Sequence, residues 1–150
     1  MILVDANLLL YAINRDLPQH ELAHAWWNQT LSGQKPVLLA WVVILAFLRI
    51  STNPRVFDRP LEIEAASDYV NEWLAIPVVR MVAPGVRHWS IFRQLIAQTG
   101  ASGNLTTDAH LAALAIEQGA SLYSADHDFK RFPGLAHVNP LDLKRASGAG

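Results

Sequence analysis

The chain has 150 residues, of which 51% are hydrophobic and 17% charged, with a formal net charge of −1 and no cysteine. This length and composition fit one globular domain and exclude a disordered chain, while the near-neutral charge gives no support for binding nucleic acid or anionic membrane by bulk charge. The absence of cysteine excludes disulfides and zinc–thiolate sites and fits a cytoplasmic protein.

Hydrophobic periodicity predicts strands and helices that alternate along the chain. The predicted strands are residues 2–4, 37–39, 78–82, 121–124 and 136–138. The predicted helices are residues 6–13, 17–31, 41–50, 61–74, 86–98 and 107–118. Strands separated by helices indicate a mostly parallel sheet covered on both faces, which is an α/β fold.

Several residues mark the boundaries of these elements. Pro18 suits the first turn of the second helix, Thr107 suits the N-cap of the last, and Gly119 is a natural stop. We expect a single domain over residues 1–145 and a disordered tail at 146–150. The first residues read as a core strand with no cleavable signal, and the longest apolar run, residues 36–48, is too short to span a bilayer.

Four aspartates occupy positions typical of a metal site. Asp5 ends the first strand, Asp126 and Asp128 follow the fourth, and Asp108 lies at the start of an apolar helix. Ligands of such sheets bind outside the carboxyl ends of the strands, and buried carboxylates are costly unless something binds them. Oxygen ligands suit Mg²⁺ or Mn²⁺, so the pattern predicts a divalent-metal site.

Each of these residues also has a simpler interpretation. Asp5 can cap the helix that follows it, Asp108 can interact with the helix dipole, and an Asp-x-Asp pair is often a solvated turn. The histidines point less clearly to a metal. His110 lies two positions past Asp108, on roughly the opposite side of the helix, which favours a packing role. His20 and His24 share a helix face at a spacing that can bind metal, but a surface role is favoured.

Four segments together resemble the PIN-domain proteins, and closely the VapC toxins of bacterial toxin–antitoxin pairs. These segments are residues 4–9 (VDANLL), 47–50 (FLRI), 104–115 (NLTTDAHLAALA) and 122–129 (LYSADHDF). Residues 51–57 (STNPRVF) also match a VapC subgroup. Single pieces are weak, but their order and spacing are specific, and the resemblance covers nearly the whole chain.

The resemblance implies a three-layer α/β/α sandwich and Mg²⁺- or Mn²⁺-dependent ribonuclease activity. It implies that Asp5, Asp108 and Asp126 are catalytic carboxylates that bind the metal, with Asp128 as an auxiliary ligand. Asn7 and Ser124 stand where the family often has polar residues near the metal. VapC toxins cut structured RNA, typically tRNA or rRNA, are silenced by a VapB antitoxin and usually form homodimers, so the same is expected here.

One departure from the family concerns the third helix, which normally carries a glutamate shortly before the Arg of its Leu-Arg pair. That place is Ala46 here, and Val42 one turn earlier cannot substitute. An alternative function is therefore a degenerate PIN domain that binds RNA or antitoxin without efficient cleavage. Phosphotransfer through Asp5 is a third reading, disfavoured because position 7 is Asn where a dehalogenase-like fold needs Asp.

Basic and aromatic residues supply candidate contacts with partners. Nine of the twelve basic residues are arginine, whose fork suits phosphate better than lysine does. Arg49, Arg55 and Arg87 are the candidates for binding RNA phosphates. The five tryptophans are expected in the core, although one or two of them can line a groove for an antitoxin helix.

Overall fold

The computed structural model describes residues 1–142 and contains a five-stranded parallel sheet with the order β3-β2-β1-β4-β5. The strands are β1 (Ile2–Val4), β2 (Val37–Ala40), β3 (Val79–Val82), β4 (Ser121–Tyr123) and β5 (His137–Val138). The helices are α1 (Ala6–Ile13), α2 (His20–Leu31), α3 (Trp41–Ser51), α4 (Ile63–Leu74), α5 (His88–Thr99), α6 (Leu105–Gln118) and a 3-10 helix (His127–Arg131). The α/β fold expected from the sequence is confirmed.

The sheet is built outward from β1, its central strand. Ile2 pairs with Val37 of β2 on one side and with Ser121 of β4 on the other. The chain thus runs from β1 to β2 to β3 in one direction and then returns to β4 on the far side of β1. Because parallel crossovers are right-handed, this reversal places α1–α4 on one face and α5–α6 on the other. The result is the expected three-layer sandwich.

The core lies between the sheet and these helix layers. All of β1 and β2 is buried, so these strands are continuous apolar runs without alternation, as in parallel sheets covered on both faces. Trp26, Trp27 and Trp73 are buried, as expected for tryptophan in a domain of this size. Trp41 and Trp89 are not core residues, since 63% and 66% of each is exposed.

Two expected helix boundaries that rest on named residues, Pro18 and Thr107, are wrong, and α4 and α5 also begin two residues later than expected. The second helix begins at His20 and leaves Pro18 in the preceding turn, where the His20 amide donates to the Leu17 carbonyl at 3.1 Å. The last helix begins at Leu105, so Thr107 lies inside its first turn and not at the N-cap. The cause is a turn that starts the helix early, with the Thr106 amide donating to the Gly103 carbonyl.

Two other expectations concern the end of α6 and the C-terminal tail. Gly119 ends α6 as expected, with a φ of 67° in the left-handed region. The disordered tail predicted at 146–150 lies outside the described residues. Within residues 1–142, no helix has the length and apolar character needed to cross a bilayer.

Candidate metal centre

Asp5 is held by two hydrogen bonds at the carboxyl end of β1. Its Oδ1 accepts from the Ala6 amide and its Oδ2 accepts from the Ser124 hydroxyl, both at 2.8 Å. Asp5 has extended backbone angles and is the N-cap of α1. A carboxylate has about four lone-pair sites, so two remain for other partners. The capping role and a place in a metal site are therefore compatible.

Ser124 ties the start of α1 to the loop after β4. Its hydroxyl is buried, donates to Asp5, and accepts from Asn7 Nδ2 at 3.2 Å and from the Asp126 amide at 3.0 Å. Asn7 Oδ1 accepts in turn from the Ala125 amide at 3.3 Å. These bonds fix the direction in which the chain leaves β4 and so position Asp126.

Three carboxylates meet beside this network. One oxygen of each of Asp108, Asp126 and Asp128 lies within 4.8 Å of the others, and we call these residues the acidic cluster. Asp108 reaches it from the first turn of α6, while Asp126 caps the 3-10 helix by accepting from the Asp128 amide at 2.9 Å. Asp5 lies outside this group of three but lines a cavity together with Asp108.

Mutual repulsion and burial change the acidity of these groups. The pKa of Asp108 is raised to about 6, first by burial and then by the charges of Asp126, Asp5 and Asp128, with Arg131 opposing. Burial also raises the pKa of Asp5, against the hydrogen bonds from Ser124 and Ala6 and with a contribution from Asp126. The electrostatic coupling places Asp5 beside the cluster.

This arrangement fits a hard divalent cation. The donors are carboxylate oxygens, which Mg²⁺ and Mn²⁺ prefer, and they converge from elements far apart in sequence. Burial and the neighbouring carboxylates raise the pKa of Asp108 although Arg131 opposes the shift, so Arg131 compensates the negative charge of the cluster only in part. A cation bound by Asp108, Asp126 and Asp128 would supply the remaining positive charge.

A cavity of about 340 Å³ opens next to Asp5 and Asp108. We call it the acidic cavity. Val42, Ala46 and Arg49 of α3 form one wall, and Thr107 of α6 contributes to another. Ala46, where the resemblance noted in the sequence implies a glutamate, therefore lines this cavity. The α3 wall supplies the apolar side chains of Val42 and Ala46 there, and no carboxylate.

The three candidate arginines have different surroundings. Arg49 lines the acidic cavity, next to Asp5 and Asp108. Arg55 is exposed in the turn after α3, and neither it nor Arg87 lines that cavity. Arg87 precedes α5, and its guanidinium donates to the Glu117 carbonyl at 3.1 Å near the end of α6. Of the three, the structure brings Arg49 to the acidic groups.

The sequence interpretation missed two basic residues at this edge. Arg131 donates to Asp128 Oδ1 at 3.3 Å and to the Asp128 carbonyl at 3.1 Å. Its spacing of three residues from Asp128 was a usable signal. His137 of β5 donates Nε2–H to the Ser124 carbonyl at 3.0 Å and lowers the pKa of Asp5. No local sequence pattern indicates this role of His137, because only the pairing of β5 with β4 brings it to this edge of the sheet.

The other histidines have structural partners. His20 and His24 donate Nδ1–H to the carbonyls of Tyr11 and Ala12, at 2.9 and 3.2 Å, and so cap the last turn of α1. His110 shares a 2.9 Å hydrogen bond with His88, and burial followed by the neighbouring His88 lowers its pKa. His127 is exposed.

Comparison with known proteins gives a consistent result. A model of the PIN domain matches residues 2–135. Ribonuclease VapC33 of Mycobacterium tuberculosis is 44% identical over 141 residues, which cover 94% of this chain and 99% of the relative. Ribonuclease VapC37 of the same species is 46% identical over 143 residues, covering 95% and 99%.

Solved structures share the fold at low identity. A crystal structure of VapBC2 from Rickettsia felis, bound to a DNA fragment from their promoter, has a TM-score of 0.68 at 18% identity and covers 93% of this chain and 98% of that one. VapC20 of Mycobacterium tuberculosis, described as a Sarcin-Ricin loop cleaving toxin, has a TM-score of 0.64 at 19% identity, covering 91% and 99%.

Proposed function

The chain belongs to the VapC family of PIN-domain proteins, and from that membership we propose that it is the toxin of a type II toxin–antitoxin pair and a metal-dependent endoribonuclease. The resemblance seen in the sequence is confirmed. The observation that carries the proposal is the convergence of Asp108, Asp126 and Asp128 at the carboxyl edge of the sheet, in a chain similar to VapC ribonucleases over nearly its full length.

The proposed reaction is hydrolysis of a phosphodiester bond in structured RNA, with tRNA or rRNA as the substrate class. The water oxygen bonds to phosphorus, the bond from phosphorus to the ribose 3′-oxygen breaks, and that oxygen takes a proton. The products are a 5′-phosphate and a 3′-hydroxyl. The site favours this chemistry because its groups are carboxylates beside a cavity.

Each residue has an assigned part in this proposal. Asp5, Asp108 and Asp126 would hold Mg²⁺ or Mn²⁺, with Asp128 as an auxiliary ligand. Either Asp5, which is fixed by Ser124 and lines the acidic cavity, or Asp126 would orient the attacking water. The chemistry that such a cation would supply is polarisation of the phosphate and a lower pKa of that water. Arg49 lines the same cavity and is placed to hold a non-bridging phosphate oxygen.

A cleavage assay with purified protein tests the proposal. We expect Mg²⁺ or Mn²⁺ to support cutting of tRNA or rRNA and chelator to stop it. Asp5→Asn should abolish both cleavage and growth inhibition. Asp68→Asn is the matched control, because Asp68 is an exposed acid of α4 remote in sequence from the site. Cleavage by Asp5→Asn at the wild-type rate would refute the assignment of Asp5.

The apolar α3 wall favours a second candidate function, binding without efficient cleavage. Ala46 and Val42 line the acidic cavity and supply no ligand. This alternative predicts that RNA binding persists in chelator and that no cut appears at any metal concentration. Metal-dependent cutting in the assay above excludes it.

We also propose a VapB-type antitoxin and a second copy of this chain as partners, in the cytoplasm. Trp41 and Leu45 are 63% and 56% exposed, and their spacing of four residues puts them on one face of α3. Such an apolar pair supports burial against another protein. Light scattering should show a dimer, alone or with the antitoxin. A wild-type monomer under all conditions would contradict the homodimer.

A further inference from the structure

Four aromatic rings run from the first turns of α6 to the surface. His110 packs edge-on against His88 with ring centroids 4.7 Å apart, His88 stacks on Phe92 at 6.2 Å, and Phe92 contacts Trp89 at 5.8 Å. We call these four residues the aromatic ladder. Its outer end, Trp89, is 66% exposed, while Leu95 is the one fully buried residue of α5. Phe92 packs partly against the core, and Trp89 presents ring surface outside it.

The ladder lines a second cavity of about 320 Å³ that adjoins the acidic cavity. His88, Trp89, Phe92 and His110 form one part of it, and the lining that it shares with the acidic cavity is Val42 and Thr107. The two cavities are thus neighbours across these two side chains. A ligand can therefore occupy both cavities, with a charged group in the acidic cavity near Asp5 and Asp108 and the neighbouring group against Trp89 and Phe92.

The polar groups of this cavity are His110 and the hydroxyls of Thr106 and Thr107. The Nδ1 of His88 is buried without a hydrogen-bond partner, so the tautomer of His88 without a proton on Nδ1 costs less. In that tautomer His88 donates Nε2–H to His110 Nδ1, at 2.9 Å, which leaves the proton of His110 on Nε2. That nitrogen makes no hydrogen bond to any residue of the described chain, so it is available as a donor to a ligand.

We propose that this second cavity is a nucleobase subsite, in which Trp89 and Phe92 stack against an unpaired base of the RNA next to the scissile phosphodiester. The inference rests on the proposed ribonuclease function and adds to it a substrate class. An RNA must present an unstacked base beside the bond that is cut. Base edges have hydrogen-bond acceptors, which His110 Nε2–H can reach, and a planar base suits a wall of rings.

The continuity of the two cavities favours a nucleotide over a protein helix. Arg49 lines the acidic cavity, and a phosphate held there brings the attached base along the shared wall formed by Val42 and Thr107. A docked helix would need a groove several turns long. This cavity is bounded by α5, the start of α3 and the first turn of α6, which suits one base.

The test is a thermodynamic cycle between Trp89 and single bases of a short single-stranded RNA. One base at a time is replaced by an abasic nucleotide, and the Kd is measured by fluorescence anisotropy in low salt with Ca²⁺ in place of Mg²⁺. We expect one abasic position to raise the wild-type Kd about tenfold, as stacking of a single base does. Trp89→Ala should raise the Kd of the intact strand similarly, with no further loss at that abasic position.

Two variants control this cycle. Trp89→Phe keeps an aromatic face and should retain most of the abasic penalty. Ile63→Ala removes another exposed apolar side chain, 52% exposed on α4, which lines neither cavity, and should leave both the Kd and the abasic penalty unchanged. Melting curves establish that each variant is folded.

Several outcomes would overturn the subsite. These are multiplicative losses from Trp89→Ala and the abasic position, equal weakening by Ile63→Ala, and no measurable binding of the intact strand by the wild type. A change of oligomeric mass in Trp89→Ala with the abasic penalty intact would assign the face to a protein partner. Metal-dependent cleavage with an additive cycle would refute the subsite alone. A coupled cycle without cleavage would refute the proposed nuclease alone.

Discussion

The buried hydroxyl of Ser124 donates to Asp5 and accepts from Asn7 and the Asp126 amide, so its removal leaves three polar groups without their partner. Buried polar groups that lose a partner cost more than the hydrogen bond itself contributes. Ser124 also sets the direction of Asp5. The residue therefore links stability to the geometry of the candidate site.

We expect Ser124→Ala to destabilise the protein by about 1–3 kcal/mol, because Asn7 Nδ2 and the Asp126 amide lose their acceptor. Cleavage should fall as well, since Asp5 loses the bond that orients it. Denaturant unfolding and the cleavage assay measure the two effects. Ser121→Ala is the control, as Ser121 is a half-buried serine three residues earlier, at the start of β4. Equal effects of both substitutions would contradict the role of Ser124.

Asp108 carries an electrostatic cost in the metal-free protein. Its folded pKa of about 6 lies above the ordinary value near 3.9, so the folded state binds the proton more tightly than the unfolded state. Stability attributable to this group is fully present below about pH 4 and is lost as the pH rises through about 6. Asp108→Asn should remove that loss.

We therefore expect metal-free Asp108→Asn to melt about 2–4 °C above the wild type at neutral pH. This corresponds to about 1 kcal/mol, because solvent screening reduces the full effect of the pKa shift. The two proteins should melt together near pH 4. Asp68→Asn should show no such difference. A gain that persists unchanged at pH 4 would show that the carboxyl charge is not its cause.

Ala46 offers a way to restore the missing ligand. Because Ala46 lines the acidic cavity, Ala46→Glu should add a carboxylate there and strengthen Mn²⁺ binding on the order of tenfold, as an added ligand charge does in carboxylate sites. Calorimetric titration measures the Kd. Leu45→Glu, an exposed neighbour outside the cavity, is the control. Equal gains in both variants would indicate a general charge effect.

At the scale of elements, Glu117 joins the end of α6 to the segment before α5. Its Oε1 accepts from the Gly85 amide at 2.7 Å and its Oε2 from the Arg87 amide at 2.9 Å. A Cβ at position 85 would meet the Glu117 carboxylate at 2.6 Å, which explains why glycine fits there. A carboxylate near a helix C-terminus interacts unfavourably with the helix dipole, and the hydrogen bonds from these two amides offset that cost.

The two amide bonds lower the pKa of Glu117, led by the one from Gly85. Stability from this group is thus present above its unfolded pKa and lost as the pH falls through the lower folded value. We expect Glu117→Gln to speed hydrogen exchange at the amides of Gly85 and Arg87 at neutral pH, because the neutral amide keeps one acceptor oxygen. Glu72→Gln on α4 should leave that exchange unchanged. Slow exchange in both variants would contradict the role of Glu117 in joining the end of α6 to the segment before α5.

The strands and most helices could be predicted because their apolar runs and stops are local. α1 has the predicted bounds, and Gly119 has the left-handed conformation that a helix stop requires. The starts of α2 and α6 were missed because competing turns decide them. Those turns depend on backbone bonds at Leu17 and Gly103, which the residue types there do not specify.

The membership of the acidic cluster was less accessible to sequence reasoning. Asp108, Asp126 and Asp128 converge as the positions after strands and before a helix suggested. Two hydrogen bonds depend on strand pairings between distant parts of the chain. They are the bond from Ser124 to Asp5 and the bond from His137 to the Ser124 carbonyl. Periodicity gives the strands but not their order, so these contacts required the structure.

At the scale of the whole molecule, metal binding should stabilise the fold. The ligands come from α6 and the segment after β4, which are apart in the unfolded chain, so the cation binds the folded state selectively. Mn²⁺ at a hundred times its Kd should add about 2.7 kcal/mol. Thermal melts with and without Mn²⁺ measure this, and Asp126→Asn should lose the gain. An equal gain in that variant would place the metal elsewhere.

The hydrogen bond between Ser124 and Asp5 closes a loop of 119 residues around the central strand β1. During translation β1 emerges first, yet one of its neighbours, β4, is made near the end. A nascent polypeptide interrupted before Ser121 therefore lacks the flanking strand, two of the clustered carboxylates and the hydroxyl that aims the fourth acid. Fragments released from the ribosome at that stage would lack the candidate metal centre, so the proposed cleavage would require synthesis to pass Asp128.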